Sequence, residues 1–474
     1  MTSLRTTGPS SAPTAWTPRM WALLAVLAGN MLIDALEVSV MAVAMPSLGD
    51  DLDLRPAITQ WMMSGFAIGF GGLLLFGSRV VALLGRRRVY LTALLVFAAA
   101  SLVAGLVSSP ELLVATRVVK GFCAALTAPV GLAIITTAFA EGPDRDRAVS
   151  VYTLFGASGF TAGLVLSGLL TQAGWRWTLV FPAPVVVALF AVGLRLIPGD
   201  RPDPPRPRVY DVAGAVTFTG SLLALVCGIA AVPDTGRSGT RVVEAFAPAA
   251  VLAVAHVLIE RTSRAPLLRA SLVSNGMLIR SALGAAALNG SYLGLLFVLT
   301  FQMQSVLGWG PLRTALALLP ASVPLAVTAL WSGRMVRRFG VARLIAVGLS
   351  LPPLGYGWCL WQSPERPYAI GTLPALVLVG AGFVLAFAAL NVSATAGVAP
   401  AERGLAGATY QTAVQLGAAV VIAATAACVT ADVPAGRRAA LALVTGVGLV
   451  GAAAGLSGLR PTPAAAPGPT KRSS

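Results

Sequence analysis

Apolar segments of span length recur along the whole chain, and no other feature limits its possible folds so severely. With a window of about 19 residues, roughly fourteen such stretches stand out, separated by short polar, glycine or proline punctuation. A helix crosses a bilayer in about 20 residues, and inside the hydrocarbon every backbone polar group has to be satisfied within the protein. Runs of this length, repeated this often, form an all-α bundle of transmembrane helices. Composition agrees, with 56% hydrophobic and 11% charged residues in 474 and a mean hydropathy of +0.81, where soluble domains carry about 25% charge. The net charge of +16 would otherwise suggest a nucleic-acid binder. Its basic residues lie singly or in short groups between apolar runs, which is how topology is encoded, so no nucleic-acid partner is expected.

Arg and Lys in the short loops orient the bundle. With a cytoplasmic N-terminus, about 22 basic residues face the cytoplasm against about 8 opposite, which puts both termini inside a cell membrane crossed many times. The expected organisation is a disordered cytoplasmic tail over 1–19, a six-helix bundle over 20–198, a proline-rich linker over 199–210 (DRPDPPRPR within it), two inserted helices over 211–260, a second six-helix bundle over 271–459, and a tail over 460–474. An internal repeat supports two halves. SRVVALLGRRRVYL follows the second span and GRMVRRFGVARLI the tenth, aligning Arg79 with Arg334 and Gly85 with Gly340. Parallel six-helix repeats with a substrate site between them at mid-membrane describe a secondary transporter.

Ionisable residues at bilayer depth mark the chemistry. Asp34 and Glu37 lie three residues apart near the middle of the first span, on one helix face. A carboxylate there costs at least about 2.5–3.5 kcal/mol on insertion scales, so such acids are functional candidates. Arg117 and Lys120 repeat the spacing in the fourth span, and Lys120 is the only lysine outside the C-terminal tail. Two acids facing two bases would nearly cancel. Protonating Glu37 would leave such a cluster net positive and suited to an anionic ligand. Asn289, Tyr292, Asn391, Tyr410, Gln411 and Gln415 are polar positions of the second half, available as substrate-binding groups or as interhelical glue. Four scattered cysteines and a single histidine, His256, offer neither a zinc site nor a histidine-based catalytic set, so no metal, cofactor or enzymatic activity is expected. The absence of a GxxxxGK[ST] loop points to an ion gradient as the energy source.

Four stretches carry a family resemblance. EVSVMAVAMP places Glu37 nine residues before Pro46; ATRVVKGFCAALTAP contains Arg117, Gly121 and Pro129; LFGASGFTAGLVLSG contains Gly156, Gly159, Gly163, Ser167 and Gly168; and the loop with Arg79, Gly85, Arg86 and Arg87 follows the second span. Together they resemble the 14-helix drug:proton antiporter branch of the major facilitator superfamily, and within it the actinobacterial antibiotic exporters. The resemblance implies that Glu37 is the principal proton acceptor, that Arg117 helps move the proton, and that the fifth-span glycines form an antiporter seam. It also marks departures. Asp34 is an addition, Lys120 stands where glutamine is usual, Leu164 and Ser167 replace a proline and a glycine, and Ala82 occupies the position of the aspartate that latches the cytoplasmic gate. Glu141, Asp144 or Asp146 would then supply that latch.

The expected function is proton-coupled efflux of a small organic molecule, a drug or an endogenous antibiotic, with anionic β-lactams such as cephamycins among the substrates the resemblance suggests. Asp34 would serve as a substrate or second proton site, with Lys120 as its counter-charge. Two alternatives stand beside this: a uniporter or importer on the same fold, and a non-transporting membrane receptor or assembly subunit.

Overall fold

A computed structural model describes residues 16–199, 212–235, 239–263, 270–363, 365–429 and 433–457. Among them there are helices and no strands, and fourteen helices are long and apolar enough to cross a membrane. In chain order these are α1 (Pro18–Leu52), α2 (Pro56–Gly77), α3 (Arg86–Leu106), α4 (Pro110–Ala138), α5 (Pro143–Ala173), α6 (Trp175–Leu196), α7 (Ala213–Ala231), α8 (Gly239–Thr262), α9 (Gly276–Val306), α10 (Pro311–Thr328), α11 (Val341–Trp361), α12 (Tyr368–Thr395), α13 (Arg403–Val429) and α14 (Ala435–Ser457). The linker expected over 199–210 and the tail over 460–474 fall almost wholly outside the described residues, as do residues 1–15.

Helix α1 starts within the stretch expected to be tail. Thr17 caps it, its hydroxyl accepting from Met20 N, and Pro18 opens the first turn. Trp16 Nε1 donates to Asp144 at 2.9 Å, and Arg147 lies over the rings of Trp16 and Trp21. At the other end α1 runs through Pro46 to Leu52, beyond the expected stop, and ends where Asp53 turns into the left-handed region at φ 52°. Proline is tolerated there because neighbouring helices enclose the break; every residue from Ser39 to Pro46 is buried.

Helices α1 to α6 pack among themselves, as do α9 to α14, and two seams join the sets. At one, α5 meets α10: a Cβ on Gly168 would lie 2.6 Å from Ala315 Cβ. At the other, α2 meets α13: Thr412 Oγ1 donates to the Gly71 carbonyl at 3.1 Å, and a Cβ on Gly71 would stand 2.8 Å from Gln415 Cβ. Helix α7 seats beside this second seam, where Thr219 Oγ1 donates to the Gly72 carbonyl at 3.2 Å. Helix α8 packs on α7 and is otherwise largely exposed.

The repeated loop has one backbone shape in both halves. Gly85 (φ 85°, ψ 153°) and Gly340 (φ 79°, ψ 147°) each separate two helices in a conformation that side chains rarely adopt. Two elements are less regular than their sequence suggests. Helix α9 ends in a π turn over Gln302–Val306, and α10, with Pro320 and Pro324 inside it, gives way to a 3₁₀ turn over Ala329–Trp331 before Ser332–Phe339 resumes the helix.

Candidate functional site: a buried ionic cluster on the first helix

Two close helix contacts set the site. Gly121 lets α4 press against α2, since a Cβ there would run into the Phe66 carbonyl and stand 2.8 Å from Phe70 N. On the other side of α1 the α5 small residues do the same. Cβ atoms on Gly159 and Gly163 would lie 2.7 Å from the Leu32 and Leu36 carbonyls, and one on Gly156 would lie 2.7 Å from Met31 Cε. Ser167 Oγ donates to the Val40 carbonyl at 2.5 Å, and Ser39 Oγ reaches the Phe160 carbonyl at 2.7 Å. These four α5 positions therefore grip the stretch of α1 that carries both acids, while Gly168 serves the seam with α10 instead.

Between these contacts Glu37 is held by two cations. One carboxylate oxygen pairs with Arg117 Nη1 and the other with Lys120 Nζ at 2.5 Å. Arg117 also donates from Nε to the Met62 carbonyl at 2.6 Å and from Nη2 to the Glu37 carbonyl at 2.9 Å, tying α4 to α2 and α1 at once. Its guanidinium lies 5.0 Å from the Phe66 ring centroid, and Lys120 Nζ lies 4.9 Å from that of Phe97. Aromatic faces of this kind partly replace the water these cations have lost. Glu37 and Lys120 are 0% exposed and Arg117 1%. Breaking such a pair by removing one partner leaves an uncompensated buried charge, worth about 3–5 kcal/mol.

Asp34 stands apart from this triad, and the expected partnership with Lys120 is absent. Asp34 Oδ2 accepts from Asn30 Nδ2 at 2.9 Å and from Thr127 Oγ1 at 2.8 Å, while Lys120 turns to Glu37. The reason is the pairing of α1 with α4. Glu37 lies level with Arg117 and Lys120, and Asp34, one turn earlier on α1, lies level with Thr127, two turns further along α4. Asn30 and Thr127 were not among the expected site residues; the i, i+4 spacing of Asn30 and Asp34 was the available signal.

In the second half the expected polar residues divide. Tyr292 is buried against Phe383 at 4.9 Å and meets Phe160 of α5 at 5.7 Å, bridging the two helix sets. Tyr410 is buried beside Phe387, whose carbonyl accepts from its hydroxyl at 3.2 Å, and Phe387 stacks on Phe383 at 4.9 Å. Gln415 is buried in the α2–α13 seam and Gln411 is half-buried. Asn289 acts as glue, donating to the Val414 carbonyl at 3.2 Å, and Asn391 is exposed near the end of α12. Gln304, which had not been singled out, donates from the π turn to the Val43 carbonyl of α1 at 2.9 Å.

At the gate loop the side chains of Arg79 and Ala82 lie outside the described residues. Arg86 is exposed, and Arg87 donates to the Leu194 carbonyl of α6 at 2.7 Å. Of the acids expected to supply a latch, Glu141 pairs locally with Arg145 at 3.0 Å and Asp144 receives Trp16.

Known proteins give this geometry its context. A family model described as Major Facilitator Superfamily matches residues 27–422. The chain is 34% identical to the puromycin resistance protein pur8 of Streptomyces alboniger over 85% of its own length and 80% of the relative's. It is 32% identical to the cephamycin export protein CmcT of Amycolatopsis lactamdurans over 89% and 87% of the two chains. In fold it is similar to the nucleoside transporter NupG, with a TM-score of 0.63, 14% identity, and coverage of 94% of this chain and all of that one.

Proposed function

This chain belongs to the Major Facilitator Superfamily, and from that premise we propose that it exports a small organic molecule in exchange for protons. The observation that carries this reading is a carboxylate with no access to water, held between two cations on a helix clamped by a glycine seam. While Glu37 is ionised, it binds α1 to α4 and keeps Arg117 and Lys120 from repelling each other. Protonation removes the charge that both cations face, so the attraction between the helices falls and the two like charges are left side by side at low dielectric. The element biased by the proton is thus the α1–α4 contact, and the seams α2–α13 and α5–α10 are where the two helix sets rock in alternating access. A substrate gains access to the space between α1 and α4 only after Glu37 has let go, which makes proton entry and substrate binding interdependent.

The rings of Tyr292, Phe383, Phe387 and Tyr410, which reach α5 through Phe160, supply the substrate's neutral contacts. Relatives named for puromycin resistance and cephamycin export support an antibiotic as the cargo. The loop distribution of arginine supports a cell-membrane orientation with both termini cytoplasmic. Within this reading the six-helix units are 20–198 and 271–459, with 211–260 as the inserted pair.

Efflux of puromycin from proteoliposomes under an imposed pH gradient tests the proposal. Wild type should concentrate puromycin against its gradient, and Glu37→Gln and Arg117→Ala should not. If Glu37→Gln concentrates it as well as wild type, the proton is taken up elsewhere. Transport indifferent to the gradient in wild type would favour a uniporter.

A further inference from the structure

Asp34 is as deeply buried as the triad, yet it is provided for differently. Its Oδ2 has two neutral donors, Asn30 and Thr127, and its Oδ1 is buried without a hydrogen-bond partner. Neither cation of the cluster pairs with it, since both Arg117 and Lys120 close on Glu37. The groups that bear on it are Asn30 and Glu37 from α1, Tyr90 from α3, Cys123 and Thr127 from α4, and Tyr152 from α5. Helices α2, α6, α9 and α10 also pack on α1, and no described residue of theirs acts on its charge. Tyr90 Oη is likewise buried without a hydrogen-bond partner. A carboxylate left with one bare oxygen, away from water and one turn from a second carboxylate, is among the costliest arrangements a protein interior can hold. The neutral acid is not.

With Asp34 neutral, the charges of the cluster sum to +1. If Glu37 were then protonated and nothing else changed, the sum would rise to +2 in a space closed to water. One rearrangement avoids this. Asp34 lies one turn of α1 from Glu37, the carboxylate Lys120 now holds, and its donor Thr127 stands on the same helix as Lys120. A lysine side chain has the length and freedom to pass that turn.

We infer that Asp34 and Glu37 share one proton, held by Asp34 in the conformation seen here, and that its passage from the Asp34 carboxyl to the Glu37 carboxylate goes with a turn of the Lys120 ammonium from Glu37 to Asp34. One proton arrives at Glu37 as one leaves Asp34, Lys120 exchanges one carboxylate for the other, and the total stays at +1 throughout. The inference deepens the proton-coupled reading and rests on it for its place in transport.

Infrared spectroscopy of the purified full-length protein in detergent, in H₂O and in D₂O, tests it without substrate or gradient. Wild type at neutral pH should show the C=O band of a protonated carboxyl group, and Asp34→Asn should remove it. Glu37→Gln, which imitates the protonated acid, should also remove it, because Lys120 then ionises Asp34; adding Lys120→Met to Glu37→Gln should bring it back. Thr127→Val deletes one hydrogen bond and no charge, and should move the band to higher frequency, which identifies its source even where Asp34→Asn fails to fold. The inference is overturned by a wild type with no such band, by a band that survives Asp34→Asn or ignores Thr127→Val, or by a band that persists in Glu37→Gln. A protein that shows the expected bands yet moves puromycin regardless of the pH gradient would refute the proton-coupled reading alone.

Discussion

The two halves of this molecule share a scaffold and divide its chemistry. Each has six spanning helices, and each breaks its chain after the second with a glycine in the same left-handed conformation, Gly85 and Gly340. Among the described residues, every fully buried charge-bearing side chain lies in the first half: Asp34, Glu37, Arg117 and Lys120. The second half holds hydroxyls and rings instead, such as Ser281 paired with Ser393, Ser291 with Tyr356, and the run Tyr292, Phe383, Phe387 and Tyr410. The comparison teaches that one backbone device, a glycine at positive φ, can serve two helix sets whose buried side chains differ in kind. One half buries ionisable side chains, and the buried polar groups of the other are neutral.

The sharpest way to break this contrast is to remove the charge that defines it. Glu37→Gln should abolish gradient-driven efflux and, by leaving Arg117 without its partner, destabilise the fold by about 3–5 kcal/mol. Transport assays and thermal unfolding in detergent read the two effects separately. A substitution of comparable size in the other half, Phe383→Leu, should alter the half-saturating concentration of a transported compound several-fold while leaving its dependence on the pH gradient as in wild type. Loss of gradient dependence in that variant would mean the division of labour is wrong.

Second in expected size is the seam that holds the charged helix. Gly163→Val forces a side chain against the Ser39 hydroxyl and the Leu36 carbonyl, an overpacking worth about 1–3 kcal/mol, and should lower both folded yield and transport. Lys120→Gln is milder for the fold, because the Arg117 pair survives, so folded yield should stay near wild type while efflux loses its dependence on the pH gradient. Smallest is Gln304→Ala, which removes one hydrogen bond between the halves, worth about 0.5–1.5 kcal/mol. Its expected outcome is easier labelling of a cysteine placed at Val43, with transport nearly intact.

Much of this was legible in the chain itself, for identifiable reasons. Span length depends on local sequence and describes the helical fold correctly, and the Gly85/Gly340 repeat marks two turns of one backbone shape. The register of Glu37 against Pro46 and the spacing of Arg117 and Lys120 showed which faces carry charge. Which acid met which base was not legible, since it depends on how α1 and α4 pack, and packing is decided by Gly121 and the α5 glycines acting from two sides. The same holds for Asn289, whose amide is spent on Val414, and for Gln304, which reaches Val43 only because α9 ends in a π turn. Pro46 misled in the opposite direction: a residue that stops helices in water is carried through here because the bundle closes around it.

The threonine of α7 on the Gly72 carbonyl has a mechanical consequence. With Thr412 bonding to Gly71 from one side and Thr219 to Gly72 from the other, α2 is pinned by two different helices at adjacent residues. Among the described residues, no inserted helix braces the opposite seam, between α5 and α10. The two seams are therefore unequally braced, and the one that α7 backs is the stiffer of the pair.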